Sequence, residues 1–161
     1  MVFRRRPDKS AALLTYARIL VPIADSRADE AALRVCATLI GGTDAEASLL
    51  HVIEVPFDRQ LDDEDELAVA RADEVLRQAE AFLREHHVHV RTSMVQARAA
   101  GPAIVDDANE LAVELIVMGL PYKKRFGGQW DAGRTVPYVM RNSTAPVWCL
   151  RAETKELAHT S

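Results

Sequence analysis

Leu115-Ile116-Val117-Met118 is followed at once by Gly119. An apolar run of this length with no polar alternation, stopped by a glycine, reads as a strand buried on both faces, the kind found in parallel sheets covered by helices. Just upstream, Gly101-Pro102 introduces a helical pattern through Ile104, Val105, Ala108 and Leu111. Downstream, residues 120–132 form a glycine-rich, basic connection, and Gly133 to Met140 read as a short helix. Pro137 is tolerable there only near the start, where a missing amide costs little. Pro146 to Leu150 is the last strand.

Toward the amino terminus the same alternation repeats. Val88 to Val95 is an alternating strand, preceded by a long helical pattern through Leu67, Val69, Ala70, Val75, Leu76, Ala79, Phe82 and Leu83. The acidic residues 62–66 stand where that helix begins, and carboxylates oppose the positive end of a helix dipole. Adjacent acids of this kind do not define a divalent-cation site. Ala47 to Ile53 is another strand. Ile19-Leu20-Val21-Pro22-Ile23 is the first, running into a turn at Ala24-Asp25-Ser26, and a helix from Ala28 to Ile40 is stopped by Gly41-Gly42. About five strands alternating with four helices require a doubly wound α/β fold, a three-layer sandwich around a mostly parallel five-stranded sheet.

A chain of 161 residues supports one core, placed here at 17–151, with flexible tails at 1–16 and 152–161. Twenty Lys and Arg against 24 Asp and Glu give a net charge of −4, so no global cationic field favours nucleic acid. Arg4-Arg5-Arg6 is a short cluster that reads as part of a solvated terminus. No run is apolar enough to insert into a membrane and no secretion signal opens the chain, which points to a cytoplasmic protein with Cys36 and Cys149 as reduced thiols.

Ligands of such sheets gather beyond the carboxyl ends of the strands, where strand order reverses. This directs attention to Pro22 through Ser26, to Val52 through Val55 and to Gly119 through Thr135. The last segment combines Gly119, Gly127, Gly128 and Gly133 with Lys123, Lys124 and Arg125. Glycines let backbone approach a phosphate and basic groups balance its charge, so the segment is a candidate anion cradle; a surface turn that needs flexible residues is the other reading. Neither a GxxxxGK[ST] loop nor a GxGxxG fingerprint is present. His51 lies within a strand and reads as structural. His86, His87 and His89 lack metal-ligand spacing, and no residue is assigned a catalytic role.

The chain resembles the universal stress protein family from Ala17 to Arg151, through Ile19-Leu20-Val21-Pro22, Leu49-Leu50-His51-Val52-Ile53, Ile116-Val117-Met118-Gly119 and Ala145-Pro146-Val147 taken in order. In ATP-binding members the motif is Gly, two residues, Gly, nine residues, then Gly with Ser or Thr. Here Gly119 matches the first position, Tyr122 stands at the second, and Gly133-Arg134 stands one residue late for the final pair. The aspartate that meets the ribose aligns with Ala24, with Asp25 next to it. The resemblance implies an adenine near Pro22 and Val52 and phosphates near Gly119, Gly127, Gly128 and Gly133. Arg134 and Thr135 would donate to phosphate, Asp25 would meet the ribose, and magnesium would enter only with a nucleotide.

The function that follows is a small regulatory protein of the stress-response type that senses or binds ATP or another adenine nucleotide. The alternative is a nucleotide-independent dimeric interaction module that regulates a transporter or other partner. A weak ATPase is a second alternative, distinguished by turnover that loop substitutions remove. The apolar strand around Trp148 suggests a sheet edge that pairs with a second copy, ordinary core being the other reading of Trp148, and the resemblance implies a homodimer through the C-terminal strand.

Overall fold

Side chains along a strand point alternately to opposite faces, and in this sheet both sets are apolar. In β1 (Arg18–Pro22), β2 (Glu46–Glu54) and β4 (Leu115–Leu120), the residues Ile19, Val21, Ala47, Leu49, Leu115 and Val117 face one core. Leu20, Leu50, Ile116 and Met118 face the other. Each face therefore needs a helical cover. The first core is closed by Ala32, Leu33, Cys36 and Ile40 of α1 (Arg27–Ile40) and by Leu76, Ala79 and Leu83 of α2 (Glu66–Glu85). The second is closed by Ile104, Val105 and Ala108 of α3 (Ala100–Glu110) and by Val136 and Val139 of α4 (Thr135–Asn142).

The computed structural model describes residues 15–63, 65–121, 123–124, 130–131 and 133–151. With β3 (His89–Ala97) and β7 (Val147–Arg151), the main sheet has five strands in the order β3-β2-β1-β4-β7, all parallel. The register sets Val21 beside Leu49, Ile19 beside Leu115 and Val117 beside Trp148. The fold is thus the three-layer α/β sandwich that the alternation of elements requires. The tails expected at 1–16 and 152–161 lie outside the described residues except for Thr15 and Tyr16, and the ring of Tyr16 meets Trp148 edge to face at 6.0 Å.

Most boundaries shift by a residue or two from the sequence expectation, and the larger differences have local causes. The β3 strand runs on to Ala97 because it pairs with β2 as far as Glu54. The α4 helix starts at Thr135 rather than Gly133, since Gly133 has φ +69° and a left-handed residue cannot continue a right-handed helix. Pro137 is its third residue, where the amide would be unpaired in any case. Within the connection 120–132, β5 (Lys123–Lys124) pairs antiparallel with β6 (Trp130–Asp131), a hairpin too short to show as a period in the sequence.

Cys36 is completely buried in the first core, and that burial pushes its thiol up to about 12. The neutral thiol is favoured in the folded chain, so stability falls as pH rises above the unfolded value near 9. Between pH 9 and 11 the wild type should lose about 2–3 kcal/mol more unfolding free energy than Cys36→Ala, measured by urea titration. Parallel losses in the two proteins would contradict this. Cys149, half-buried in β7, should be the first thiol to react with a disulfide reagent at pH 8.

Candidate functional site

The strand order reverses between β1 and β4. After β1 the chain turns into α1 on one face, and α4, which follows β4, lies on the other. The diverging connections open a crevice at the carboxyl ends of these strands. A cavity of about 460 Å³ lies there. Pro22, Ile23, Leu50, Val52, Ile104 and Met118 make it largely apolar; Gly119, Gly133, Arg134, Thr135 and Asp29 complete its working surface.

One side is the turn after β1. The Ile23 amide donates to the Leu50 carbonyl at 2.8 Å, and His51 Nδ1 lies 2.8 Å from the Ile23 carbonyl. A carbonyl can only accept, so that ring nitrogen carries the hydrogen and His51 clamps the turn to β2. Asp29, only 7% exposed, takes the Ala24 amide at 3.1 Å and the Ser26 amide at 2.8 Å on Oδ2. It stands three residues after Ser26, the position from which a side chain reaches back to cap the helix start. Burial raises the Asp29 carboxyl above the usual range, while these amide bonds pull it down.

The opposite side is the head of α4. Gly133 takes the left-handed conformation that turns the chain into the helix, Arg134 occupies the cap position, and Thr135 is the first helical residue. The first amides of a helix lack intrahelical partners and carry its positive dipole end, so this end of the cavity suits an anion. Arg134 is exposed, and among the described residues its guanidinium has no ion-pair partner.

Gly119 serves a purpose that the sequence does not reveal. A Cβ built there would stand 2.5 Å from the carbonyl carbon and oxygen of Ala28. The missing side chain lets the first turn of α1 lie against β4, so this glycine is needed for packing whatever the cavity holds.

The structure therefore brings Pro22, Val52, Gly119, Gly133, Arg134 and Thr135 into one cavity. Asp25 is not part of that lining. Its backbone has φ +60°, and its carboxylate pairs with Arg71 of α2 through Nε at 2.8 Å and Nη2 at 2.7 Å. It faces a shallower depression with His51, Glu54 and Arg71, which adjoins the cavity through Ala24, Val52, Ala100 and Thr135. Gly127 and Gly128 lie outside the described residues. Asp29 is not among the site residues expected above, although the Ser26-x-x-Asp29 spacing ahead of an apolar helix is a signal for it in the sequence.

The sequence model of the Universal stress protein family matches residues 15–151. Among solved structures, a universal stress protein from Archaeoglobus fulgidus in complex with dAMP shares 22% identity over 85% of this chain and 99% of its own, with a TM-score of 0.65. A universal stress protein in complex with cAMP shares 17% over 86% of this chain and 98% of its own, at 0.67. The protein UspA from Lactobacillus plantarum shares 22% over 86% of this chain and all of its own, at 0.69. None of the curated proteins matches. Likeness at this identity speaks to the fold.

Proposed function

The chain belongs to the universal stress protein family, and from that premise we propose that it is a regulatory protein whose cleft binds an adenine nucleotide. The base would occupy the apolar floor near Pro22 and Val52, and the phosphate would sit at the head of α4. The observation that carries this reading is the pairing, in one cavity of about 460 Å³, of an apolar floor with a helix start and the arginine at its cap. That size is ordinary for a small-molecule site, and the few polar groups are gathered where a nucleotide is charged. The dAMP and cAMP complexes of relatives with this fold add support.

A ligand that binds only the folded chain raises its melting temperature by mass action. Millimolar AMP should therefore raise the thermal midpoint, while ribose 5-phosphate, which lacks the base, should raise it much less. Equal midpoints with and without AMP, ADP or ATP would remove the nucleotide reading. Magnesium would enter with the nucleotide phosphates, and its addition alone should leave the midpoint where it was.

A second reading is favoured by β7. It lies at the sheet edge with β4 as its one strand neighbour among the described residues, and Val147, Trp148, Cys149 and Leu150 are all half-buried. Unpaired edges of this kind join other strands, so β7 is proposed to pair with a second copy of the chain. Light scattering at micromolar concentration should give twice the chain mass, and Val147→Pro, which removes one edge amide, should give the single mass. A wild-type monomer across that range would contradict pairing.

A further inference from the structure

The sheet has a second edge, formed by β3, whose one strand neighbour among the described residues is β2. The Val55 amide donates to the Ala97 carbonyl at 2.8 Å, so Ala97 turns its backbone groups toward β2. Backbone groups alternate in side along a strand, which leaves the amides and carbonyls of Thr92, Met94 and Gln96 directed outward. An open edge of this kind is a template for another strand.

Beside that edge lies a cavity of about 400 Å³, lined in part by Gln96 and Ala97 of β3 and by Asp106, Asp107 and Glu110 of α3. It shares no lining residue with the cavity between β1 and β4. Among the described residues the three carboxylates form no ion pair, and the buried Oδ2 of Asp107 has no hydrogen-bond partner. Burial, and then the charge of Glu110, raises the Asp107 carboxyl above its usual range. Asp107 and Glu110 also stand in the last turn of α3, at the negative end of its dipole, with no basic residue in that turn. A helix end that served only solvation would be better built from lysine or arginine. Arg98, the cation of the lining, is committed elsewhere: it donates to the Val55 and Pro56 carbonyls and lies over the Phe57 ring.

We infer that β3 and this acidic groove dock an extended basic peptide of a partner protein, added to the sheet as a further strand. The outward groups of Thr92, Met94 and Gln96 supply its main-chain hydrogen bonds. Every second side chain of the added strand falls on the α3 side, where arginine or lysine meets the carboxylates. A second copy of this chain fits less well. Two β3 strands paired about a two-fold axis set both α3 helices on one face of the joined sheet, with their carboxylates across the seam from each other, and like charges repel. The occupant is therefore a strand of opposite charge.

The probe is a short fluorescent peptide of alternating valine and arginine, titrated into the full chain and followed by anisotropy. Amide hydrogen exchange at Thr92, Met94 and Gln96 gives the second reading. The peptide should bind saturably and slow exchange at those amides. Asp107→Asn combined with Glu110→Gln should weaken it at least about tenfold, the scale of a hydrogen bond to a charged group. Two control peptides keep the test decisive without any variant. One is methylated on its backbone nitrogens and the other carries glutamate in place of arginine; both should bind much less. Absence of saturable binding at millimolar peptide, binding that leaves the exchange unchanged, or equal binding of either control would overturn the inference. A folded double variant that binds like the wild type would do the same. So would protection of those amides in the free chain that dilution removes, because a second copy would then hold the edge.

Discussion

Gly119→Ala should lower the unfolding free energy by about 3 kcal/mol, and Gly119→Val should leave little folded protein. The cause is geometric. The added carbon would lie 2.5 Å from backbone atoms of Ala28 and 2.7 Å from its Cβ, and backbone cannot rotate aside as the tip of a long side chain can. To admit it, the first turn of α1 must lift from β4, which would also disturb the buried Asp29 and the turn it holds. Gly133 supplies the control. Nothing lies within 4 Å of a Cβ there, and its φ of +69° is one that asparagine can adopt. Gly133→Asn should therefore cost about 1 kcal/mol or less. Urea denaturation of the three variants measures the difference, and a Gly119→Ala protein as stable as Gly133→Asn would contradict the packing role.

The second large effect concerns binding. Arg134→Glu should weaken AMP at least about a hundredfold, because a charge-assisted hydrogen bond worth about 1.5–3 kcal/mol is replaced by repulsion at the same place. Arg134 is exposed and unpaired among the described residues, so the unfolding free energy should change by less than about 0.5 kcal/mol. Adenosine, which has the base and sugar but no phosphate, should bind wild type and variant alike. That pattern assigns the arginine to the phosphate, whereas an equal loss for adenosine would mean that the head of α4 had been disturbed as a whole. A Gly119 substitution cannot serve this purpose, since it damages the fold along with the site.

The main elements are legible in the sequence because a doubly wound sheet is written as short apolar runs separated by amphipathic helices. Leu115 to Met118 is such a run, and so is Ile19 to Val21, while Ala47 to Leu50 is interrupted by Ser48 alone; every residue of the three is buried. What is not legible depends on contacts distant in sequence. Ala28 and Gly119 are 91 positions apart, and nothing local distinguishes a glycine that admits a helix from one that admits a phosphate. Asp25 and Arg71 meet across 46 positions. A carboxylate next to the expected position reads as a ligand group until its partner on α2 is seen. Asp29 is hidden for a different reason. Its spacing from Ser26 is local and readable, but a charged residue early in a helix normally lies on the solvated side, whereas this one is only 7% exposed.

The cavity is proposed to bind an adenine nucleotide. Titration calorimetry of the purified chain, first shown by mass spectrometry of denatured protein to carry no nucleotide, tests it with ATP, ADP and AMP, each with and without magnesium. Saturable binding near one nucleotide per chain, weakened by Arg134→Glu, is the expected result. An intact, empty protein that takes up none of the three at millimolar concentration would contradict it.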